Sequence, residues 1–317
     1  MLTHPSNDRM TNSDRTGFPP TSPISAAPRD ENVPMVSFHG LDALWFQVGG
    51  TICNLWCTHC FISCSPKNHT FEFMSAPEVI RHLEASVPYG VREYYFTGGE
   101  PFMNRDLIAI LEHTLRYGPA TVLTNGILIS PKLVAQLRRL SENSPYTLEL
   151  RVSLDGFTAF TNDSIRGEGS FRRALEGVRQ LVAAGFLPII SVMQSWDDSE
   201  HAAVLTQFTA TLADFGYLRP RLKIIPPLRI GREILRYRGY TDGECFTAEA
   251  MAGYDDRRLM CSTSRTITNR GIYACPILLN HPDARMGDTL SQALVPHPLR
   301  HQACYTCHLA GAVCSNP

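Results

Sequence analysis

From about residue 44 to residue 229 the apolar positions of the chain switch back and forth between two periods. Short runs at Leu44–Val48, 93–97, 120–124, 147–154, 187–193 and 221–225 are densely apolar or alternating, as strands are. Between them lie stretches whose apolar residues recur every three or four positions, the period of a helix with one buried face. Val79, Ile80, Leu83 and Val87 form one such face, and Leu107, Ile108, Leu111 and Leu115 a second. Leu133, Val134, Leu137 and Leu140 form a third, Leu175, Val178 and Leu181 a fourth, and residues 199–214 continue the series. Local punctuation agrees. Ser75-Ala-Pro-Glu78 is a capping box with proline in the first turn, Ser130-Pro131 opens the third helix, and Gly185 ends the helix over 171–184.

The pattern predicts six β-α repeats, and hence parallel pairing, because each helix is the crossover between successive strands. Six units are fewer than the eight of a closed barrel. The pattern therefore predicts an α/β fold, either an open doubly wound sheet or a partial barrel. Residues 1–35, rich in Pro, Ser, Thr, Asn and Asp and without hydrophobic period, are expected to be a disordered tail. Residues 36–235 form the core. Over 236–317 the periodicity fades and five cysteines lie between Cys261 and Cys314, which points to a small domain held together by metal in place of an apolar core.

Composition narrows the chemistry. Lys and Arg number 29 against 30 Asp and Glu, so no basic excess exists to neutralise a nucleic-acid backbone, and no nucleic acid is expected as a partner. No apolar run reaches the roughly 18–20 residues of a membrane span, and the N-terminus lacks the apolar stretch of a signal peptide. A cytoplasmic protein without membrane attachment is expected. Ten cysteines in 317 residues are too few for a disulfide scaffold. Most of them fall into two groups, as metal ligands do.

The first group, Cys53, Cys57 and Cys60, has three and then two intervening residues and follows the first strand. Three thiolates suit a [4Fe–4S] cluster with one iron left open for another ligand. Cys64 follows three residues on, so a closed four-cysteine zinc site satisfies the same spacing. Companion motifs end the later strands. Thr97-Gly98-Gly99-Glu100-Pro101 follows the second, Leu123-Thr124-Asn125-Gly126 the third, and Ser153-Leu154-Asp155-Gly156 the fourth, with Arg166-Gly167 shortly after. All of them therefore converge on one edge of the sheet.

This set over residues 44–228 resembles the radical S-adenosylmethionine (SAM) superfamily, with Phe61 where tyrosine is commoner after the last cysteine. The resemblance implies a partial (β/α)6 TIM-like barrel and a [4Fe–4S] cluster on Cys53, Cys57 and Cys60 that binds SAM. It further implies reductive cleavage of SAM to a 5′-deoxyadenosyl radical that abstracts hydrogen from a substrate, oxygen sensitivity, and an electron donor such as a flavodoxin or ferredoxin. Gly98, Gly99 and Glu100 are implied at the SAM amino group, and Asn125, Ser153 and Arg166 at its ribose or carboxylate. A histidine common in the family before this arginine is replaced by Asn162. Cys64 is read as a spare buried thiol.

The second group comprises Cys261, Cys275, Cys304, Cys307 and Cys314, with Gly271 placed for a tight turn. By spacing alone, four of these thiolates fit zinc or an iron–sulfur cluster equally. By resemblance they form the shortened auxiliary-cluster domain called twitch, related to SPASM, and hold a second [4Fe–4S] cluster through Cys261, Cys275, Cys304 and Cys307, with Cys314 in reserve. Cys245 is read as structural. His297, His301 and His308 flank these cysteines and are read as surface or supporting residues, with replacement of a cysteine ligand the alternative. The segment Ile224–Arg232 is read as a pocket wall or a plain linker.

The expected function is a radical SAM oxidoreductase in which the auxiliary cluster takes up an electron from a small-molecule substrate, such as an alcohol being dehydrogenated. A short N-terminal segment, too small for a leader-binding domain, favours the small molecule. Modification of a peptide or protein side chain is the alternative, and a non-catalytic two-zinc protein the alternative of another class.

Overall fold

The computed structural model describes residues 33–311, 313 and 314. The tail expected over 1–35 lies outside the described residues up to residue 32, and Met35 already belongs to strand β1 (Met35–Val36). The core elements follow in order: β2 (Ala43–Phe46), α1 (Ala76–Ser86), β3 (Glu93–Phe96), α2 (Leu107–Thr114), β4 (Ala120–Thr124) and α3 (Pro131–Glu142). Then come β5 (Leu148–Ser153), α4 (Ala159–Arg166), α5 (Ser170–Ala183), β6 (Ile189–Met193), α6 (His201–Asp214) and β7 (Arg221–Ile225). At the head of α1 the Ser75 N–H donates to the Glu78 carboxylate at 2.8 Å, as the capping box requires.

Strands β2 to β7 are parallel and lie side by side in chain order. A doubly wound sheet reverses its strand order part-way, and this one does not. Helices α1, α2, α3 and α5 pack as successive neighbours. The fold is a partial TIM-like barrel. Leu44, Phe46, Phe96, Val122, Val152 and Val192 turn toward the helices and join Val79, Leu83, Ile110 and Leu175 in the main core. The alternate residues face the barrel interior, which is polar: Gln47, Thr121, Arg151 and Ser191 are buried there, beside a stack of Trp45 on Tyr95 at 4.1 Å.

Two features differ from the sequence reading. Helix α4 stands where the sequence pattern assigned no element, because its buried residues are Asn162, Ile165 and Arg166 and leave no apolar stripe to read. The C-terminal part also contributes most of a second apolar cluster, which Val36, Phe71 and Leu228 join from the rest of the chain. Phe246, Leu259, Tyr273, Ile277, Leu278 and Leu299 cluster there, each drawn from a segment too short to show a period.

That part also shares the barrel's sheet. Strand β8 (Ser264–Thr268) pairs parallel with β2, and β9 (Gly271–Tyr273) and β10 (Arg285–Gly287) continue antiparallel. The described sheet thus has nine strands. Helices α7 (Ala248–Met251), α8 (Leu290–Ala293) and α9 (Ala303–Ala310) and strand β11 (His297–Pro298), paired with β1, complete it. Arg265 on β8 is fully buried and donates to the carbonyls of Ala293, Cys261, Ser264 and Val295. Among the described residues no helix is long and apolar enough to cross a membrane.

Candidate active site

Cys53, Cys57 and Cys60 lie on the loop that leaves β2, at the C-terminal edge of the parallel strands, where α/β folds place their sites. This loop rests on the turn after β3. The Gly99 N–H donates to the Gly50 carbonyl at 2.9 Å and the Glu100 N–H to that of Ile52 at 3.0 Å. A Cβ at Gly99 would stand 2.0 Å from the Ile52 carbonyl oxygen, and one at Gly98, where φ is +152°, 2.4 Å from Gly49 Cα. Glycine is needed at both because the cysteine loop lies directly on them. The sequence reading assigned that closeness to a ligand; the contact seen is with the loop that carries the thiols.

Glu100 is fully buried and ties the turns after β3 and β4 together. Its carboxylate accepts from Phe102 N–H at 3.1 Å, the Thr124 hydroxyl at 2.8 Å and Asn125 N–H at 2.8 Å. Burial pushes its pKa up to about 7 against these hydrogen bonds. The Asn125 side chain donates to Asn54 Oδ1 at 2.7 Å and stands 3.8 Å from Cys53 Sγ. Ser153 ends β5 and is half-buried.

Arg166, at the end of α4, places Nε 2.6 Å from Asp155 Oδ2, and His59 Nε2 approaches the same oxygen at 2.7 Å. Asp155 also accepts from Met193 N–H at 2.8 Å. Burial alone would raise the Asp155 pKa, but Arg166 and His59 hold it well below the usual carboxylate range. Beside this network the Thr58 N–H donates to the Ile165 carbonyl at 2.8 Å, so α4 anchors the cysteine loop. His59, whose Nδ1 is buried without a partner among the described residues, sits inside the cysteine motif and reads there as a spacer. The sequence reading missed it, and took Asp155 only as part of a motif.

The segment after β7 supplies the third support. Arg232 donates through Nε to the Cys57 carbonyl at 2.9 Å and through Nη2 to that of Cys64 at 2.5 Å, with its guanidinium 4.8 Å from the Trp56 ring. Gly231 lies so near Phe61 that a Cβ there would stand 2.2 Å from its carbonyl oxygen. Between a wall and a linker, this segment is thus a wall, and one that touches the cysteine loop. Nearby, Gln194, Trp196, Glu200, Pro227 and Tyr237 line a cavity of about 430 Å³ beyond the ends of β6 and β7.

At the other end of the chain, Cys261, Cys275, Cys304, Cys307 and Cys314 come together. Burial pushes Cys261 up to about 12, Cys275 to about 11 and Cys314 to about 12, and raises Cys304 and Cys307 well above the ordinary thiol value; nearby thiols of the same group add to the shift in Cys261, Cys304, Cys307 and Cys314. Cys304 and Cys307 sit one turn apart on α9. From the barrel interior Arg151 reaches the Cys314 carbonyl at 2.5 Å, and Lys223, brought down to about 8 by burial and Arg151, lies beside it. These cationic side chains approach Cys314 from β5 and β7.

Residues 48–207, half of the chain, match the family model described as the radical SAM superfamily. The chain belongs to this superfamily. It is 32% identical over 185 residues to the mycofactocin maturase MftC of Mycobacterium ulcerans, covering 55% of this chain and 47% of that one. A GTP 3′,8-cyclase of Petrotoga mobilis is 29% identical over 159 residues, covering 47% and 46%. The matches thus span about half the length of these relatives. Among solved structures, Streptococcus suis SuiB bound to its precursor peptide SuiA superposes with a TM-score of 0.57 at 19% identity, over 80% of this chain and 63% of that one, which speaks to the fold.

A radical SAM protein implies a [4Fe–4S] cluster and SAM, and the donors on the β2 loop fit them. Burial pushes Cys53 up to about 12 and Cys57 to about 11, so both thiolates call for compensating cations. The hydrogen bond from the Cys64 thiol brings Cys60 down to about 6 in spite of its burial. A tetrahedral zinc draws its thiolates to about 3.8 Å from one another. Among the described residues no three cysteine sulfurs lie within 4.8 Å of one another.

Proposed function

We propose that this chain uses Cys53, Cys57 and Cys60 to hold the SAM-binding [4Fe–4S] cluster and that it modifies a peptide or protein side chain by radical chemistry. When bound, the cluster and SAM supply a 5′-deoxyadenosyl radical from one-electron cleavage of the sulfonium, and a second cluster on the C-terminal cysteines supplies an electron acceptor that makes the net reaction an oxidation. The chain's own residues keep the site in shape. Gly98 and Gly99 seat the cysteine loop, Glu100 locks the turns after β3 and β4, and Arg232 grips the loop from the opposite side. Asn125, beside Cys53, and Arg166, held by Asp155, are the polar groups offered to SAM, Arg166 being suited to a carboxylate.

The convergence of the three-cysteine loop with these supports at one sheet edge carries the catalytic reading. The peptide reading, which replaces the small molecule expected from the sequence, is supported by the maturase relative. The open cavity beside Trp196 and Tyr237 leaves room for a side chain.

Anaerobic reconstitution tests the first part. About eight irons per chain are expected, falling to about four when Cys53, Cys57 and Cys60 are all changed to Ala, with 5′-deoxyadenosine formed only by the wild type. Two zincs and no iron would overturn it. For the substrate, a lysate from host cells grown in deuterated medium is split by size into peptides and metabolites. Deuterium in 5′-deoxyadenosine is expected from the peptide fraction; label from metabolites alone would restore the small molecule.

A further inference from the structure

Outside both cysteine groups, one trio of side chains brings metal-ligating atoms together. The ligand atoms of His281, Asp283 and His301 all lie within 4.8 Å of one another, and no other such trio occurs among the described residues. The two imidazole rings face each other with centroids 4.3 Å apart. His301 Nε2 is buried and stands at ion-pair distance, 3.1 Å, from Asp283 Oδ1. A second observation points the same way. His297 is only 2% exposed and neither ring nitrogen has a hydrogen-bond partner among the described residues, although it lies within electrostatic reach of both His301 and Asp283. Buried polar nitrogens normally find a partner, so the two unpaired ring nitrogens of His297 beside this group mark an unfilled requirement.

We propose that His281, Asp283 and His301 form a site for a first-row divalent cation, zinc being the fit for two imidazoles, one carboxylate and a water, with His297 as the neighbouring imidazole. The site is separate from the cysteines and independent of the function proposed above. Its place in the chain gives it a role. His281 follows Cys275 on the loop that leads to β10, and His301 precedes Cys304, whose N–H donates to the His301 carbonyl at 2.8 Å. A cation there would fasten the arm carrying Cys275 to the arm carrying Cys304 and Cys307.

The test uses the full chain with its iron–sulfur content reconstituted. It is incubated with zinc chloride, desalted, analysed for zinc and iron, and examined by zinc-edge X-ray absorption. About one retained zinc per chain is expected, with nitrogen and oxygen neighbours at about 2.0–2.1 Å and no sulfur at about 2.3 Å. In His281→Ala/His301→Ala zinc should fall below about a tenth of that while iron stays unchanged. No retained zinc, or zinc bound through sulfur, would overturn the proposal. Should the double variant not fold, Asp283→Asn on the exposed rim decides. Zinc binding weakened about tenfold or more supports the site, and unchanged binding overturns it.

Discussion

Two buried carboxylates at this site are held in opposite states by their surroundings. Asp155 faces a guanidinium and an imidazole and stays charged, whereas Glu100 faces neutral donors and burial wins, leaving it near 7. A raised folded-state pKa means that the native protein binds the proton more tightly than the unfolded chain. Glu100 therefore contributes its full stabilisation below about pH 4.5, and that contribution is lost as the pH climbs through 7. In urea unfolding of the metal-free protein, stability should fall by roughly 3 kcal/mol at most between pH 5 and pH 8, and Glu100→Gln should flatten that slope. An equal slope in the variant would assign the pH dependence to other groups. Glu100 was legible as a motif residue because its neighbours in sequence are its neighbours in function. His59 was not, because what distinguishes it is Asp155, nearly a hundred residues away and meaningful only once β5 and the cysteine loop meet.

Among the elements, the strands of the barrel could be read to within a residue or two, because their apolar faces repeat and proline, serine and glycine punctuate them. Helix α4 escaped because its buried side is polar, β8 because its fully buried run Ser264–Thr268 is mostly polar, and β9 and β10 because three residues are too few to show a period. The segment after β7 was the least legible. Its function rests on Arg232 gripping backbone carbonyls 175 and 168 residues away, and a carbonyl has no sequence signature. Lysine cannot reproduce a planar grip on two acceptors. Arg232→Lys should leave the barrel folded by circular dichroism and let a chelator strip iron from the first cluster about 10–100-fold faster. An unchanged rate would mean that the cysteine loop holds its own shape.

At the scale of the whole molecule, both the sheet and the apolar clusters run across the division expected near residue 235: Ile267, Ile272, Leu290 and Ala293 join the main core, and Val36, Phe71 and Leu228 join the C-terminal cluster. Strand β8 comes from the C-terminal part and covers the edge of β2, the strand from which the cysteine loop departs. A chain ending at residue 235 would expose that edge, an unpaired row of donors and acceptors prone to pair with another copy. Such a fragment should run as oligomers or precipitate in size-exclusion chromatography, where the full chain is expected to elute as a defined species. A well-behaved monomeric fragment would show that the barrel folds unaided.

The meeting of Gly231 and Arg232 with the cysteine loop makes the barrel a cup hinged on its hydrogen-bonded wall and buckled at the rim. The strands β2 and β7 never pair, yet the polypeptide leaving the last is latched onto the polypeptide leaving the first. Threading a long guest through the top would mean undoing the buckle. The cavity lined by Trp196, Pro227 and Tyr237 flanks the latched segment, so a guest held there, on the function proposed above, would leave the buckle fastened.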